Sequence, residues 1–338
     1  MMTQIASITR TVIKKSAPAE IKGSTGKTVS AAAIRWLLPV AAVALMAFFG
    51  VKSSVFFTYG NLMAIATQNA PTFIVAAVFA LLLMAGYVDL SVGSLMALVG
   101  VCAGLAMNAW GLTAGILVGV AIGVGFGAVN DFLIGLLGFS PIVVTLGGLA
   151  AARGLAQYIA QGDVFGFPEA FSEFGSGSLA GIPNLVLVAA LICTASMLGA
   201  SWLPAGRWII SIGVNPRAAF LVGIPVKATV AALYTLTGLA VSIAALLDIA
   251  RLDSAPSGTL GSGFEVRILT AVLLGGIPFN GGKGSIWRVL VGVWIIGILR
   301  NGLTLLNVGT ELSGIITGAV LVLAAALEAV RLYIRRAV

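Results

Sequence analysis

Long runs of apolar residues constrain the fold of this chain more than any other feature of its sequence. A bilayer core about 30 Å thick is crossed by a helix of roughly 20 apolar residues. Nine strong runs and a tenth, weaker one approach or reach that length, so the sequence predicts an all-α, polytopic transmembrane helical bundle with about ten crossings. The strong runs are Ile34 to Val51, Asn61 to Gly86, Ser91 to Met107, Leu112 to Leu137, Asn184 to Leu203, Ala228 to Ala250, Arg267 to Phe279, Ile286 to Leu306 and Leu312 to Tyr333, and the weaker one is Ile142 to Ile159.

Composition supports the same class of protein. Of the 338 residues, 59% are hydrophobic and only 9% are charged, whereas charged residues make up roughly a quarter of an ordinary soluble chain. A transmembrane β-barrel would show short segments of alternating polarity instead of continuous apolar runs. The 43 glycines predict close packing between helices, because small residues let helix backbones approach one another in lipid.

The distribution of charge predicts which ends of the helices face the cytoplasm. Most of the 19 Lys and Arg residues lie near the N-terminus, in segments 204–227 and 279–288, and at the C-terminus, whereas segments 161–183 and 251–265 are richer in Asp and Glu. Cytoplasmic loops of membrane proteins are enriched in Lys and Arg. The pattern therefore predicts that both termini are cytoplasmic. It divides the chain into a polar basic tail, 1–33, and a single transmembrane domain, 34–338.

Several functions are excluded by what the sequence lacks. There is no histidine, which removes the commonest general base and metal ligand. Gly26-Lys27-Thr28 is similar to the end of a phosphate-binding loop, but Ile21 stands where that motif needs glycine. The net charge of +8 is explained by basic residues near helix ends, and no nucleic-acid-binding module is recognisable. We therefore expect no catalytic, metal, nucleotide or nucleic-acid site on this chain.

The first informative interruption of the apolar runs spans residues 86–94. Asp89 or Ser91 can cap the helix that follows, with the glycines making the turn. The alternative is a helix break that lines or braces a pathway, because irregular backbone at membrane depth persists only where protein or water satisfies it. Asp89, Ser91, Gly93 and Ser94 are therefore candidate residues of a helix break or translocation pathway.

The second interruption spans residues 206–225, on the predicted cytoplasmic side. Asn215 can cap a short helix, Pro216 suits its first turn and Gly223 suits its end. One interpretation is an interfacial helix anchored by Arg217, and the other is a docking helix that fits a groove on a cytoplasmic partner. The candidate docking residues are Gly213, Asn215, Pro216, Arg217, Ala218, Ala219 and Gly223.

The third interruption, residues 250–285, is rich in glycine, which indicates tight turns and close backbone contacts. Polar residues inside the apolar runs are further pathway candidates, although packing hydrogen bonds explain them equally well. Among the charges at membrane depth, Asp131 and Arg153 are expected to reach an interface, and Arg300 is the least easily explained. The remaining candidates for a pathway or helix break are Gln68, Asn69, Asn130, Gly275, Gly276, Gly281, Gly282 and Asn301.

Together these stretches resemble the permease subunits of bacterial ABC importers for monosaccharides, of the ribose, xylose and arabinose type. The resemblance covers roughly residues 35–335. The chain departs from the family's usual residues at Arg267, Arg300 and Pro278, and these departures leave the sugar open. The matching residues are Asp89 to Ser94, the Gly-x-Asn-x-x-Ala-Ala pattern from Gly213 to Ala219, Gly223-Ile224, Ala250-Arg251, Gly263-Phe264-Glu265, the glycine loop from Gly275 to Gly282, and Asn301-Gly302-Leu303.

The resemblance implies a transport subunit of the bacterial inner membrane, not an enzyme. Two permease subunits, identical or similar, would form a pathway for a monosaccharide or a related small polyol. Each would dock a cytoplasmic ABC ATPase through the helix from Asn215 to Gly223, and a periplasmic sugar-binding protein would deliver the solute. ATP and Mg would bind to the partner ATPase, so no cofactor is expected on this chain, and its remaining partner is membrane lipid.

Three other functions stay open at this point. A branched-chain amino-acid ABC permease of the same wider superfamily is the nearest, although the Asp-Leu-Ser-Val-Gly-Ser run favours sugar. An ion-coupled secondary carrier would need paired membrane carboxylates or proton-relay histidines, and the chain has no histidine. A purely structural membrane subunit is disfavoured by the many glycine breaks.

Overall fold

A computed structural model describes the backbone of residues 25–309, 311–320, 322–323 and 326, with side chains from residue 39 onward. Most of the predicted tail, residues 1–33, and the C-terminal part of the last apolar run lie outside the described residues. The regular secondary structure of the described part is helical apart from two very short antiparallel strand pairs, β1 with β4 and β2 with β3. The elements are α1 Thr25–Lys52, α2 Tyr59–Met84, α3 Val92–Trp110, α4 Leu112–Asp131, a π-helical turn Phe132–Leu136, α5 Pro141–Ile159, β1 Asp163–Val164, α6 Glu169–Ser176, β2 Ser178–Leu179, β3 Ile182–Pro183, α7 Asn184–Trp202, α8 Pro204–Val214, α9 Pro216–Leu221, α10 Val226–Leu252, β4 Ala255–Pro256, α11 Phe264–Leu274, α12 Ile286–Leu305 and α13 Glu311–Val320.

Seven of the described helices are long and apolar enough to cross a membrane: α2, α3, α4 with its π-helical turn, α5, α7, α10 and α12. The predicted all-α polytopic fold is thereby confirmed. Shorter apolar stretches, Pro39–Lys52 and Glu311–Val320, represent the first and last predicted crossings. The total of ten crossings and the cytoplasmic position of both termini stay predictions.

The helices divide into a buried centre and a lipid-facing periphery. In the most apolar windows of α2 and α3, 83% and 78% of residues are buried, against 17% in both α5 and α7. The exposed side chains of the peripheral helices are large and apolar, for example Leu117, Val143 and Leu191. Such a surface is suited to lipid tails, which need no hydrogen bonds from the protein.

Glycines bring α4 into close contact with α10, as the glycine content predicted. A Cβ on Gly123 would lie 2.5 Å from the carbonyl oxygen of Gly238, and one on Gly127 would overlap the carbonyl oxygen of Tyr234. The hydroxyl of Ser242 on α10 also donates a hydrogen bond to the Gly119 carbonyl on α4, at 3.0 Å. These glycines recur every fourth residue, the small-residue spacing that lets membrane helices pack backbone to backbone.

The basic segments and the acidic segments of the chain lie at opposite ends of the bundle. At one end the residues that follow α2 meet segments 204–227 and 279–288, and we call this the basic end. At the other end β1 pairs with β4, and the Tyr59 hydroxyl donates to the Gly181 carbonyl at 2.8 Å. The fold therefore gathers the basic segments on one side, as an orientation set by positive charge requires.

We predict that Gly123→Ala lowers the free energy of unfolding by about 1–3 kcal/mol, because the new methyl group forces α4 and α10 apart. Gly125→Ala is the matched control on the same helix, since a Cβ there meets nothing within 4 Å. It should be neutral or stabilising by up to about 1 kcal/mol, the helix propensity gained over glycine. Thermal unfolding of the purified variants in detergent compares them, and equal stability of the two would contradict this packing.

Candidate functional site

Glycines from the three sequence interruptions meet at one point of the basic end. Gly86 follows α2, Gly213 lies near the end of α8, and Gly281 lies in the loop between α11 and α12. A Cβ on Gly213 would overlap the carbonyl oxygen of Met84, and one on Gly281 would lie 2.8 Å from the Cα of Gly86. The Gly282 amide also donates to the Met84 carbonyl at 2.8 Å. We call Gly86, Gly213 and Gly281 the glycine clasp, which joins three motifs that are far apart in the sequence.

The glycine loop after α11 makes tight turns and lets α11 pack closely against α12. Gly276, Gly281 and Gly282 have φ angles of 77°, 82° and 111°, in the region that side-chain-bearing residues avoid. A Cβ on Gly275 would lie 2.8 Å from the Cα of Val289, so this glycine lets α11 pack against α12. The predicted role of these residues in tight turns and close backbone contact therefore agrees with the geometry.

Asp89 is buried, with 2% of its surface exposed, and it organises the turn between α2 and α3. Its Oδ1 accepts hydrogen bonds from the Ser91 backbone amide, at 2.9 Å, and from the Ser91 hydroxyl. Its Oδ2 accepts one from the side-chain amide of Asn130, at 3.1 Å. Burial raises the pKa of the Asp89 carboxyl, and the hydrogen bonds from Ser91 and Asn130 oppose that rise. With both oxygens used inside the protein, Asp89 braces the helix break.

Two serines complete this turn. Ser91 occupies the N-cap position of α3, but its side chain makes no capping hydrogen bond. The Asp89 carboxylate instead accepts a hydrogen bond from the Ser91 backbone amide. Ser94, in the first turn of α3, is 3% exposed. Tyr234 on α10 donates its hydroxyl hydrogen to the Val88 carbonyl at 3.1 Å, which ties the same turn to the centre of the bundle.

The short helix α9 has the local geometry that its sequence predicted. The Asn215 side-chain oxygen accepts a hydrogen bond from the Ala218 amide at 3.0 Å, and Pro216 occupies the first turn. Gly223 follows the helix with a φ angle of 85°, and its amide donates to the Phe220 carbonyl at 3.0 Å. The helix leaves directly from the glycine clasp, because Gly213 precedes Asn215 by only two residues.

The outer surface of α9 is apolar, which the sequence analysis did not anticipate. Phe220, Leu221 and Val222 are 69%, 77% and 77% exposed, whereas Ala219 is 3% exposed and anchors the helix to the bundle. Arg217 is exposed beside them. A cluster of large exposed apolar side chains marks a protein or membrane contact surface. The sequence indicates this surface by three consecutive apolar residues at the end of a capped two-turn helix.

The apolar run from Arg267 to Phe279 does not form a complete helical crossing. Its helix, α11, has 11 residues and is about 16 Å long at 1.5 Å per residue, half of what a bilayer needs. A non-helical segment, 257–263, comes before it and lies against α3. A Cβ on Gly93 would lie 2.5 Å from the Gly261 carbonyl oxygen. Only glycine at position 93 therefore lets segment 257–263 pack this closely against α3. We call segment 257–263 with α11 the broken crossing.

Arg153 on α5 satisfies the backbone of the broken crossing. Its Nη1 donates to the carbonyls of Ser257, Gly258 and Leu260, at 3.2, 3.3 and 2.9 Å. These hydrogen bonds give the Arg153 charge partners within the protein, and its expected position at a membrane interface stays a prediction. Non-helical backbone at membrane depth needs such partners, since lipid offers none.

The candidate amides inside the apolar runs serve different purposes. Asn301 on α12 exchanges two hydrogen bonds with the Asn61 side chain on α2, at 2.9 and 3.1 Å. Asn69 donates to the Ile65 carbonyl at 2.8 Å and packs against Gly297, and Asn130 belongs to the Asp89 turn. Gln68, by contrast, is exposed and lies two helical turns beyond Asn61 on the same face of α2. Of these four candidate amides, Gln68 is the one with an open side chain.

Polar side chains are exposed along the broken crossing and the neighbouring part of α12. This surface, which we call the polar strip, contrasts with the leucines and valines exposed on α4, α5 and α7. Exposed polar residues at membrane depth face water or another protein, because lipid cannot satisfy them. Sequence reasoning assigned none of these residues to a pathway. The polar strip consists of the exposed Thr259, Ser262, Arg300 and Thr304, together with Arg267, which is half-buried among them.

A cavity of about 490 Å³ lies elsewhere, between α2, α7, α8 and α10. Its walls are almost entirely apolar, with Leu81, Ile192, Trp208 and Leu233 among them. A sugar-sized polar solute needs convergent hydrogen-bonding groups. This cavity does not supply them, so the polar strip is the better candidate for a solute path.

The chain is similar over most of its length to known transport proteins. The profile of a family described as "Branched-chain amino acid transport system / permease component" matches residues 61–325. The D-allose transport system permease protein of Escherichia coli is 33% identical, over 84% of this chain and 88% of its own length. The ribose import permease protein of the same species is 34% identical, over 86% and 93%. A probable ABC transporter permease protein of Sinorhizobium fredii is 31% identical, over 95% and 97%. No solved structure matches the chain.

We predict that Arg153→Met lowers the free energy of unfolding by about 2–4 kcal/mol, because carbonyls in the membrane interior lose a charged donor. Arg153→Lys should cost less, since an ammonium group still donates hydrogen bonds to some of them. Lys52→Met, at an exposed position, is the control for loss of a positive charge. Thermal unfolding in detergent, together with proteolysis of segment 257–263, makes the comparison. If Arg153→Met and Lys52→Met behave alike, Arg153 does not hold the broken crossing.

Proposed function

Because this chain belongs to the permease family whose profile it matches, we propose that it is the membrane-spanning subunit of an ATP-driven importer for a monosaccharide or a related small polyol. It is a multi-pass protein of the bacterial inner membrane. It acts as a transport subunit, and its contribution is a pathway and a moving scaffold, not covalent chemistry. ATP and Mg belong to a separate partner ATPase in this proposal, and the chain itself uses no cofactor.

The glycine clasp is the observation that carries the proposal. It connects α9, with its exposed apolar surface, to the end of α2 and to the loop between α11 and α12. Backbones touch there without intervening side chains, so a displacement of α9 passes to the broken crossing with little loss. A partner ATPase that binds α9 differently in two nucleotide states would bias the bundle between two arrangements.

Sugar is favoured over a branched-chain amino acid as the solute. The relatives at 33–34% identity are permeases for D-allose and ribose, although the family's description names branched-chain amino acids. The polar strip and Gln68 offer hydroxyl, amide and guanidinium groups, which suit a polyhydroxylated solute. A branched-chain side chain would need an apolar pocket beside the pathway, and the polar strip contains none.

Three partners follow from this proposal. A second permease subunit, identical or similar, covers the polar strip and completes the pathway, because a strip with two arginines is costly in lipid. A cytoplasmic ATPase binds α9. A periplasmic binding protein delivers the solute at the end opposite the clasp. An ion-coupled carrier is disfavoured, since the Asp89 carboxylate is fully used by Ser91 and Asn130.

We predict that the double substitution Phe220→Ala and Leu221→Ala reduces retention of the partner ATPase by about tenfold or more, because buried apolar anchors dominate such interfaces. Leu137→Ala is the matched control, since Leu137 is also exposed and apolar and lies outside α9. Co-purification with a tagged ATPase and ATP-dependent uptake into membrane vesicles are the measurements.

Retention and uptake should fall together in the double variant and stay unchanged in Leu137→Ala. Normal ATPase retention by the double variant would remove α9 from the interface. Uptake that continues without any ATPase or binding protein would contradict the importer function as a whole.

A further inference from the structure

Two arginines of the polar strip lie close together on neighbouring helices. Gly292 packs against the Ala271 carbonyl and Gly275 packs against Val289, so α11 and α12 run antiparallel. That register places Arg300 beside the first turn of α11, about one helical turn from Arg267. Arg300 is exposed, and Arg267 is half-buried.

Neither arginine is neutralised within the part of the chain that the structure describes. The salt bridge found there joins Arg251 to Asp248, at 2.6 Å, and thereby occupies the nearest competing carboxylate on α10. Neither Arg267 nor Arg300 has a carboxylate oxygen within 4 Å among these residues. Arg267 instead places its guanidinium 5.2 Å from the centre of the Phe264 ring, a contact that leaves its hydrogen-bond donors free.

A further positive charge lies at the start of the broken crossing. Arg153 is held there by the carbonyls of Ser257, Gly258 and Leu260, while Arg251 is paired with Asp248. The Glu265 carboxylate packs against Gly93. α11 begins in the same region, so the partial positive charge of its N-terminus adds to that of the side chains.

Unpaired like charges at membrane depth are unfavourable, and the unfavourable energy is relieved when an anion enters. A cleft with low-dielectric walls and charge of one sign concentrates ions of the opposite sign. The planar guanidinium group binds carboxylate and phosphate oxygens in pairs, with geometry that a neutral hydroxyl cannot match. A neutral sugar would therefore leave the two charges uncompensated.

We propose that the solute carries an anionic group, a carboxylate or a phosphate, which Arg267 and Arg300 bind together as it passes along the polar strip. The inference rests on the proposed importer function and narrows the substrate class to acidic monosaccharide derivatives. In this respect the chain differs from relatives named for D-allose and ribose.

The test uses the full transporter, with its own ATPase and binding protein, reconstituted in liposomes. The probes are D-ribose, D-ribonate and D-ribose 5-phosphate, and D-galactose, D-galacturonate and D-galactose 6-phosphate. ATP-dependent uptake should favour an anionic member of a set over its neutral parent, and the acid and phosphate arms tell which anionic group is accepted. Arg267→Gln and Arg300→Gln should each lower anion uptake by about tenfold or more, the loss expected for a charge-assisted hydrogen bond.

Charge-conserving and position controls separate this role from a structural one. Arg300→Lys should keep more of the anion uptake than Arg300→Gln does. Arg288→Gln, the same change at an exposed site on the same helix, should leave uptake unaltered. Size-exclusion chromatography checks that each variant remains folded and assembled.

Three outcomes would overturn the inference in distinguishable ways. Preferred uptake of a neutral sugar, unaffected by the glutamine variants, would reject the anionic solute and leave the importer function standing. Dissociation of the permease pair in the glutamine variants would assign the arginines to the subunit interface instead. Uptake of the probes that continues without ATP or without the ATPase would reject the importer function itself.

Discussion

The hydrogen bonds from Arg153 to three carbonyls make the rest of this arrangement compatible with a membrane. Segment 257–263 has no helical partners for its backbone, and lipid supplies none. One guanidinium group satisfies the Ser257, Gly258 and Leu260 carbonyls from a neighbouring helix. Because that segment is stable without being helical, α11 can begin deep inside the bundle. The polar strip, with its exposed backbone and side chains, exists as a consequence.

The glycine contacts couple the movements of neighbouring elements, whereas Arg153 stabilises one of them. Side chains between helices would let one element shift while its neighbour adjusts rotamers, whereas backbone contacts transmit displacement directly. The clasp places such contacts between the end of α2, the end of α8 and the loop before α12. The same loop is continuous with α11, and α8 leads directly into α9, so the apolar surface of α9 is connected to the broken crossing through backbone contacts. This arrangement needs glycine at each contact, and the glycine density of the three motifs reflects that need.

Local features were predictable from the sequence, and long-range pairings were not. The apolar runs predicted α2, α3, α4, α7, α10 and α12, since run length and helix length are set by the same bilayer. The Asn215 cap was predictable because its donor lies three residues away. The carbonyl contacts of Arg153 were not predictable, because its acceptors lie more than 100 residues away and carry no side-chain signal. The Asp89 turn lies between these cases: the break was visible, but the contribution of Asn130 requires α4 to pack beside it.

The polar strip needs to be covered from lipid, and a single copy of the chain leaves it exposed. A single subunit in lipid would expose Arg300, Thr259 and Ser262 to hydrocarbon, whereas the large exposed side chains of α4, α5 and α7 are mostly apolar. Charged groups in that setting cost several kcal/mol or draw water into the bilayer, on the order of +2.5–3.5 kcal/mol for an arginine by insertion scales. The proposed second subunit, facing the strip, would remove that cost and enclose a polar passage in the same step. In that proposal assembly and pathway formation are one event, and the charges that are unfavourable in lipid become the groups that select the solute.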